Sequence, residues 1–431
     1  MRKFTLIWFG QLISTVGSYM SEFAQTLWMW ELTGSATAIA LMGFFSLLPS
    51  IFVSIFAGII VDRFNRKYLM MLSDGVAAIS TLVILILHLT GDLAVWHLYL
   101  AASIAGGFGQ IQQLAYSTSI TMLVSPTNYT RANSMNSMVH YGSNIIAPAI
   151  AGILYPIIGL GGILPIDLAT FLAAIATLVW IRIPQPDEDT EQESITNLAT
   201  FWQEVTFGIR YIWRSNGLRT LLIVTTLFWF AHDLGAAIDD PMILARSDNN
   251  ARTLSMILSI AGISGVTGAV ILTSWGGMKR RANGMLLGFM GAGAAKAVFG
   301  LGQSLTIWLP AQFCSSLNFP LIESSETALW METVPPKLQG RVFAANSFVL
   351  ELVSAIAALI AGPLSDRVLE PVMQSRNIVS SLLTPMFGSS AGAGMALLYV
   401  MCAIAMFSIG AIGFRLPQLR QLENTVSSES K

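Results

Sequence analysis

Between Ala38 and Ile60 the chain carries no charged side chain, and between Tyr68 and His88 it carries only Asp74. Runs of this character recur along the sequence. About 20 apolar residues suffice to cross the hydrocarbon core of a bilayer as a helix. Inside that core every backbone N–H and C=O must be satisfied within the segment, so such runs fold as helices. Composition points the same way: 54% of residues are hydrophobic and 11% charged, against about 25% charged in soluble domains. A soluble chain this apolar would lack a surface to face water. The expected fold is an all-α polytopic membrane protein.

The apolar runs place spans near 5–30, 37–61, 68–90, 96–122, 132–158 and 163–183, then near 218–239, 253–275, 283–302, 306–331, 341–365 and 392–414. Twelve spans put both termini on one side. Of the 23 Lys and Arg residues, Arg246, Arg252, Arg367 and Arg376 fall on the opposite side and Lys296 within a span; the other 18 share the side of the termini. Basic residues mark the cytoplasmic side, so both termini are expected there. The start, Met1-Arg2-Lys3 and an apolar run, imitates a signal peptide, but the run is long, broken by polar residues and followed by no A-x-A site. It is read as an uncleaved first span.

The expected organisation is a six-helix half over 1–183, a cytoplasmic linker over 184–217, a second six-helix half over 218–414 and a cytoplasmic tail over 415–431. The linker opens with the acidic Pro184–Glu191 segment and continues from Phe201 to Arg214 with apolar residues at helical spacing. That second part is expected to be an amphipathic helix at the membrane interface. Two six-helix halves also imply an internal repeat.

Gly58, Asp62, Arg63, Arg66 and Lys67, in the short turn between the second and third spans, match the signature loop of the major facilitator superfamily, G-x-x-x-D-R/K-x-G-R/K-R/K. Asn65 stands at the usual glycine; Asn tolerates a left-handed backbone best after Gly, so the turn is expected to survive. Read without the resemblance, this is a basic cytoplasmic loop. Further segments resemble the superfamily's bacterial macrolide-efflux and enterobactin-exporter-like branch. These are Trp8-Phe9-Gly10-Gln11-Leu12-Ile13-Ser14, Glu31–Ser35, Pro49, Phe207–Ile212 and Gln339-Gly340-Arg341-Val342. Weak echoes of the signature loop occur at Trp275–Arg281, which lacks the Asp, and at Gly362–Arg367. The latter falls on the outer side and is read as a resemblance of spacing only. The fourth span lacks the Arg common in drug–proton antiporters, and Ala147–Gly152 keeps only the Pro and last Gly of their G-P-x-x-G-G motif.

Charges inside a membrane are costly and default to functional candidates. Glu22, Asp233, Glu323 and Glu326 lie in spans 1, 7 and 10, which the resemblance implies line the central cavity with span 4. Asp233 is the first candidate for proton coupling and Glu22 the second. Glu323 and Glu326, three residues apart on one face, are further candidates, because paired carboxylates hold a proton readily. Inter-helix pairing competes with function at each. His232 either relays a proton or bonds to the backbone, the latter favoured. Gln110 and Gln113 are candidates for substrate contact, and Gln112 for joining helices. Lys296, on a peripheral span, is expected in a structural ion pair, with Glu351 its partner or else a cavity wall. Trp28, Trp30, Trp229 and Trp330 are read as packing or interface anchors.

Cys314 and Cys402 lie in apolar runs, away from disulfide, metal or nucleophile chemistry. The sequence contains no G-x-x-x-x-G-K-S/T, H-E-x-x-H or G-x-S-x-G, which removes an ATP-driven pump and the commonest hydrolase signatures. The expected protein is therefore no enzyme and needs no cofactor. It is a twelve-helix secondary transporter of the bacterial inner membrane, exporting a small amphipathic or hydrophobic compound by alternating access, driven by protons. Its partners are that small molecule, protons and lipid, with no nucleic acid, and it acts as a monomer. In the superfamily the signature loop acts as a latch. The competing readings are export of an endogenous metabolite such as a siderophore, and a non-transporting sensor or assembly factor on the same fold.

Overall fold

The computed structural model describes residues 1–125, 128–181, 198–375, 378–419 and 422. The acidic opening of the linker, Arg376 and the end of the tail lie outside the described residues. Among the described residues the chain is helical throughout and has no strand. It divides into two compact units: residues 1–33 with 41–201, and residues 34–40 with 202–431.

The first unit is built from α1 (Arg2–Thr33), most of α2 (Ala36–Arg63), α3 (Arg66–Thr90), α4 (Val95–Leu123) and α5 (Tyr129–Trp180). Asn65 begins α3 as its N-cap, with φ −62° and ψ 115°, and its side chain accepts a hydrogen bond from the Lys67 N–H. Asn65 thus does not use the left-handed backbone that it tolerates: an Asx cap needs an extended residue, and the cap decides the conformation. Gly91 closes α3 in the left-handed region, φ 81°. The long α5 is two helices meeting at Gly159, whose φ 60° and ψ −169° only glycine adopts readily. That break separates the spans expected at 132–158 and 163–183. Against the second part of α5, α1 presents Gly10 and Gly17, which leave no room for a Cβ beside Thr177 and Thr170. Small residues let helices approach this closely in a membrane.

The second unit holds α6 (Leu198–Arg214, from Trp202), α7 (Asn216–Ala236), α8 (Asp239–Arg246), α9 (Ala251–Trp275), α10 (Arg281–Leu301), α11 (Leu305–Ser316) and α12 (Phe319–Thr333). It continues with α13 (Pro336–Leu364), a π-helical turn over Ser365–Leu369, α14 (Glu370–Gln374), α15 (Ile378–Phe387) and α16 (Ala393–Gly413). Phe228 of α7 stacks on Phe289 of α10, ring centroids 3.6 Å apart, inside a core with Leu286, Ile322 and Met406. The amphipathic α6 packs on the start of α13: Trp202 meets Phe348 edge-on and the Arg341 guanidinium lies 5.4 Å from the Phe207 ring centre.

Span 7 ends with α7 at Ala236, and α8 occupies the gap before the span expected at 253–275. Span 10 is interrupted, dividing into α11 and α12 at Leu317–Asn318. Each break lies just upstream of a proline, Pro241 or Pro320, whose ring clashes with the carbonyl four residues back. The 366–390 segment, expected as an outer loop, carries a π turn and two short helices. By length and hydropathy, eight described helices qualify to cross a membrane. α1 and α4 have the length, with 32 and 29 residues, but a more polar make-up rich in Gln, Ser and Thr.

Candidate functional site

In the signature loop Arg66 is buried and donates to the Thr118 carbonyl of α4, 3.1 Å, while Lys67 donates to the Val179 carbonyl of α5, 3.0 Å. Two basic side chains thus bind backbone carbonyls of their own unit. Gly58 and Arg63 are exposed; the Asp62 side chain lies outside what the structure describes.

Within the first unit Glu22 is exposed on α1, as is Gln113 on α4. Gln110 is half-buried, with the Ser50 hydroxyl 3.5 Å from its Oε1. Gln112 joins helices, as its reading as inter-helix glue expected: its Nε2 donates to Gln11 Oε1 of α1, 3.0 Å, and to Asp74 Oδ1 of α3, 2.5 Å. Gln11 Nε2 completes the set at 3.3 Å from Asp74 Oδ2. A second buried carboxylate, Asp167 on α5, accepts from the Thr81 hydroxyl at 3.2 Å.

Within the second unit His232 Nδ1 lies 3.0 Å from Asp233 Oδ1, and both side chains keep about a fifth of their surface accessible, 19% and 22%. The backbone bond favoured for His232 is not what its Nδ1 makes. Phe319 and Trp229 close on the imidazole edge-on, at 4.9 and 5.3 Å between ring centres. On α12, Glu326 is buried and accepts from Trp229 Nε1 at 3.1 Å, whereas Glu323 is exposed. The two thus sit in unlike surroundings despite sharing a helix face.

Lys296 does not pair with Glu351. It is buried on α10, and its ammonium donates to the Tyr399 hydroxyl of α16 at 3.0 Å and lies 5.0 Å from that ring's centre. Packing explains the difference: α10 lies against α16, α11 and α12, while α13, which carries Glu351, lies against α7. Asp239 and Asp233 act on Lys296 electrostatically, yet among the described residues it forms no salt bridge.

The Gly362–Arg367 segment is more than a resemblance of spacing. Asp366 accepts from the Ser35 hydroxyl (2.7 Å) and from the N–H groups of Ala36 (3.2 Å) and Thr37 (2.8 Å). It is a charged cap on the first turn of α2, where free N–H groups and the helix dipole favour an anion. Gly362 backs directly onto the Thr37 backbone, with no room for a Cβ. One turn on, Glu370 accepts from Gly392 and Gly394 N–H, both at 2.8 Å, at the start of α16.

Asp74, Asp167, Asp239, Tyr399 and the Asp366 cap were not singled out by sequence reasoning. Asp74 and Asp167 carried the same signal as the chosen candidates, a carboxylate inside an apolar run. Attention to the cavity-lining spans passed over them.

The sequence profile of the Major Facilitator Superfamily matches residues 7–358. The chain belongs to that superfamily. It is 25% identical over 369 residues to macrolide efflux protein A of Streptococcus pyogenes, covering 85% of this chain and 90% of that protein. It is 23% identical over 432 residues to the multidrug efflux pump Tap of Mycolicibacterium fortuitum, covering 97% and 96%. Its fold is similar to the crystal structure of the nucleoside transporter NupG, TM-score 0.66 at 13% identity, over 96% of this chain and 99% of that one. The protein is thus a multi-pass membrane transporter of a small molecule and not an enzyme.

Proposed function

We propose that this transporter exports a small amphipathic or hydrophobic compound from a bacterial cytoplasm in exchange for protons, with both termini cytoplasmic in the inner membrane. The similarity to a protein named for macrolide efflux, along 85% of the chain, carries the reading. The chemistry of the second unit supports it. Within the spans of that unit the carboxylates Asp233, Asp239, Glu323, Glu326 and Glu351 outnumber one Lys, which is turned toward Tyr399. An acidic set suits neutral or cationic compounds. In this reading Gln110, Gln113 and His232 contact the substrate. A carboxylate protonated in one access state and ionised in the other ties substrate movement to proton movement, with Asp233 first in that role and Glu22 second. The signature loop, with Asp62 at its centre, latches one access state.

The test is transport of ethidium, a lipophilic cation, by purified protein in liposomes with an imposed pH gradient. Gradient-dependent accumulation is expected, together with ethidium counterflow when the gradient is absent. Counterflow without any response to the gradient would remove proton coupling. Neither activity, repeated with a macrolide, would remove the efflux reading.

A further inference from the structure

We propose that Asp74, held between Gln11 and Gln112, is a proton-binding site of the first unit that loads and unloads during transport; its part in transport rests on the proton-driven reading above. Asp74 is 1% exposed and Gln11 7%. The three side chains come from α3, α1 and α4 and form a closed ring of hydrogen bonds, 3.3, 2.5 and 3.0 Å. Both carboxylate oxygens accept from an amide, which is the arrangement an ionised carboxylate needs.

No cation balances that charge among the described residues. The titratable groups on the surrounding helices include Arg66 on α3, Tyr116 on α4, Asp167 on α5 and Lys3 and Glu22 on α1. None of them ion-pairs or hydrogen-bonds with Asp74, and Arg66 is turned to the Thr118 carbonyl. In a low-dielectric interior an unpaired carboxylate favours the neutral acid. Asp74 is thus shut away from water and held only by two amides, each able to give or to take a hydrogen bond. A carboxyl so held is free to exchange a proton without leaving its partners.

The identity of the neighbours is the deciding point. A guanidinium or ammonium would fix the ionised form, since it only donates. A primary amide carries a donor and an acceptor on one group. Half a turn of the Gln11 or Gln112 amide presents Oε1 to a carboxylic O–H at the expense of the Gln112–Gln11 bond, so Asp74 itself finds a partner in either state. A permanently neutral, merely structural Asp would need only one of those orientations. Gln112 is the one member that is not fully buried, and Gln113 beside it is exposed. That edge of α4 is the route by which a proton reaches the ring.

The experiment is an infrared titration of the protein in lipid bilayers, from about pH 5 to about pH 9. A carboxylic C=O band is expected to fade as pH rises, to be absent from Asp74→Asn and to fade at a different pH in Gln112→Leu. Asp74→Asn mimics the neutral acid, so it is expected to fold, to keep ethidium counterflow and to lose gradient-driven accumulation. If every titrating band survives in Asp74→Asn, Asp74 holds one state throughout and the proposal fails. Unchanged gradient-driven accumulation in Asp74→Asn equally overturns it. A wild type that shows the titrating band but ignores the gradient would instead overturn proton-driven export, leaving the binding site in place.

Discussion

His232 and Asp233 are neighbours on α7 and share a hydrogen bond while staying partly accessible. A carboxylate so placed keeps part of its surface accessible, while its histidine partner sits against the aromatic rings of Trp229 and Phe319. Asp233→Asn removes its charge with little change of shape. We expect it to lower gradient-driven ethidium accumulation by about tenfold or more, equivalent to at least about 1.4 kcal/mol of coupling, and to leave counterflow near the wild-type rate. Equal loss of both activities would make Asp233 a folding or binding residue. Lys296 leads to a different expectation. Its hydrogen-bond acceptor is Tyr399, so Tyr399→Phe leaves a buried ammonium short of a partner at a cost of about 1–3 kcal/mol, read as a lower Tm in detergent. Lys296→Met combined with Tyr399→Phe should recover much of that loss, because two apolar residues of similar size need no partner. If the double variant is no more stable than the single one, the pair is not the source of the effect. At this scale the sequence was legible only in part. It exposed which residues are charged within spans, since that follows from composition along the chain. It did not expose partners, because a partner depends on which helices pack together. Lys296 faced α16 and not α13 for that reason.

Helix boundaries were legible where an apolar run ends in a cap, and less so where the run continues. Asn65 and Gly91 bound α3 as turn chemistry dictates. The breaks before Pro241 and Pro320 were signalled by those prolines and by short polar clusters beside them, Asp239-Asp240 and Ser315-Ser316-Leu317-Asn318. Asp366 shows the opposite case, a motif visible in sequence whose partner was not. Its carboxylate takes three hydrogen bonds at the start of α2, from residues 329 to 331 positions away in the chain. Replacing an N-cap costs about 0.5–2 kcal/mol, so Asp366→Ala should lower thermal stability by that order, and Asp366→Asn by less because the amide oxygen still accepts. Gly362→Val should be worse than either, since its side chain must displace the Thr37 backbone. A Gly362→Val protein as stable as wild type would mean that α13 and the start of α2 do not stay in contact in the membrane.

For the whole molecule, the proposed orientation rests on the uneven distribution of Lys and Arg. In the twelve-span reading 18 of 23 fall on the side of the termini, and the reverse orientation would carry them across the membrane, against the strong cytoplasmic preference of such loops. Residues 184–216, including Asp189, should then face the cytoplasm, and the 366–390 segment the outside. Thiol labelling in intact cells reads this directly, provided the native cysteines are silent. Cys402 is buried but Cys314 is exposed, so Cys314→Ala is the background for both probes. On it, Ser389→Cys, at an exposed position between α15 and α16, should react with a membrane-impermeant maleimide. Asp189→Cys should react only after the cells are permeabilised. Labelling of Asp189→Cys in intact cells, with Ser389→Cys protected, would invert the topology. It would also turn the proposed exporter's acidic groups toward the opposite compartment, and the direction of proton-driven transport would have to be reassigned with them.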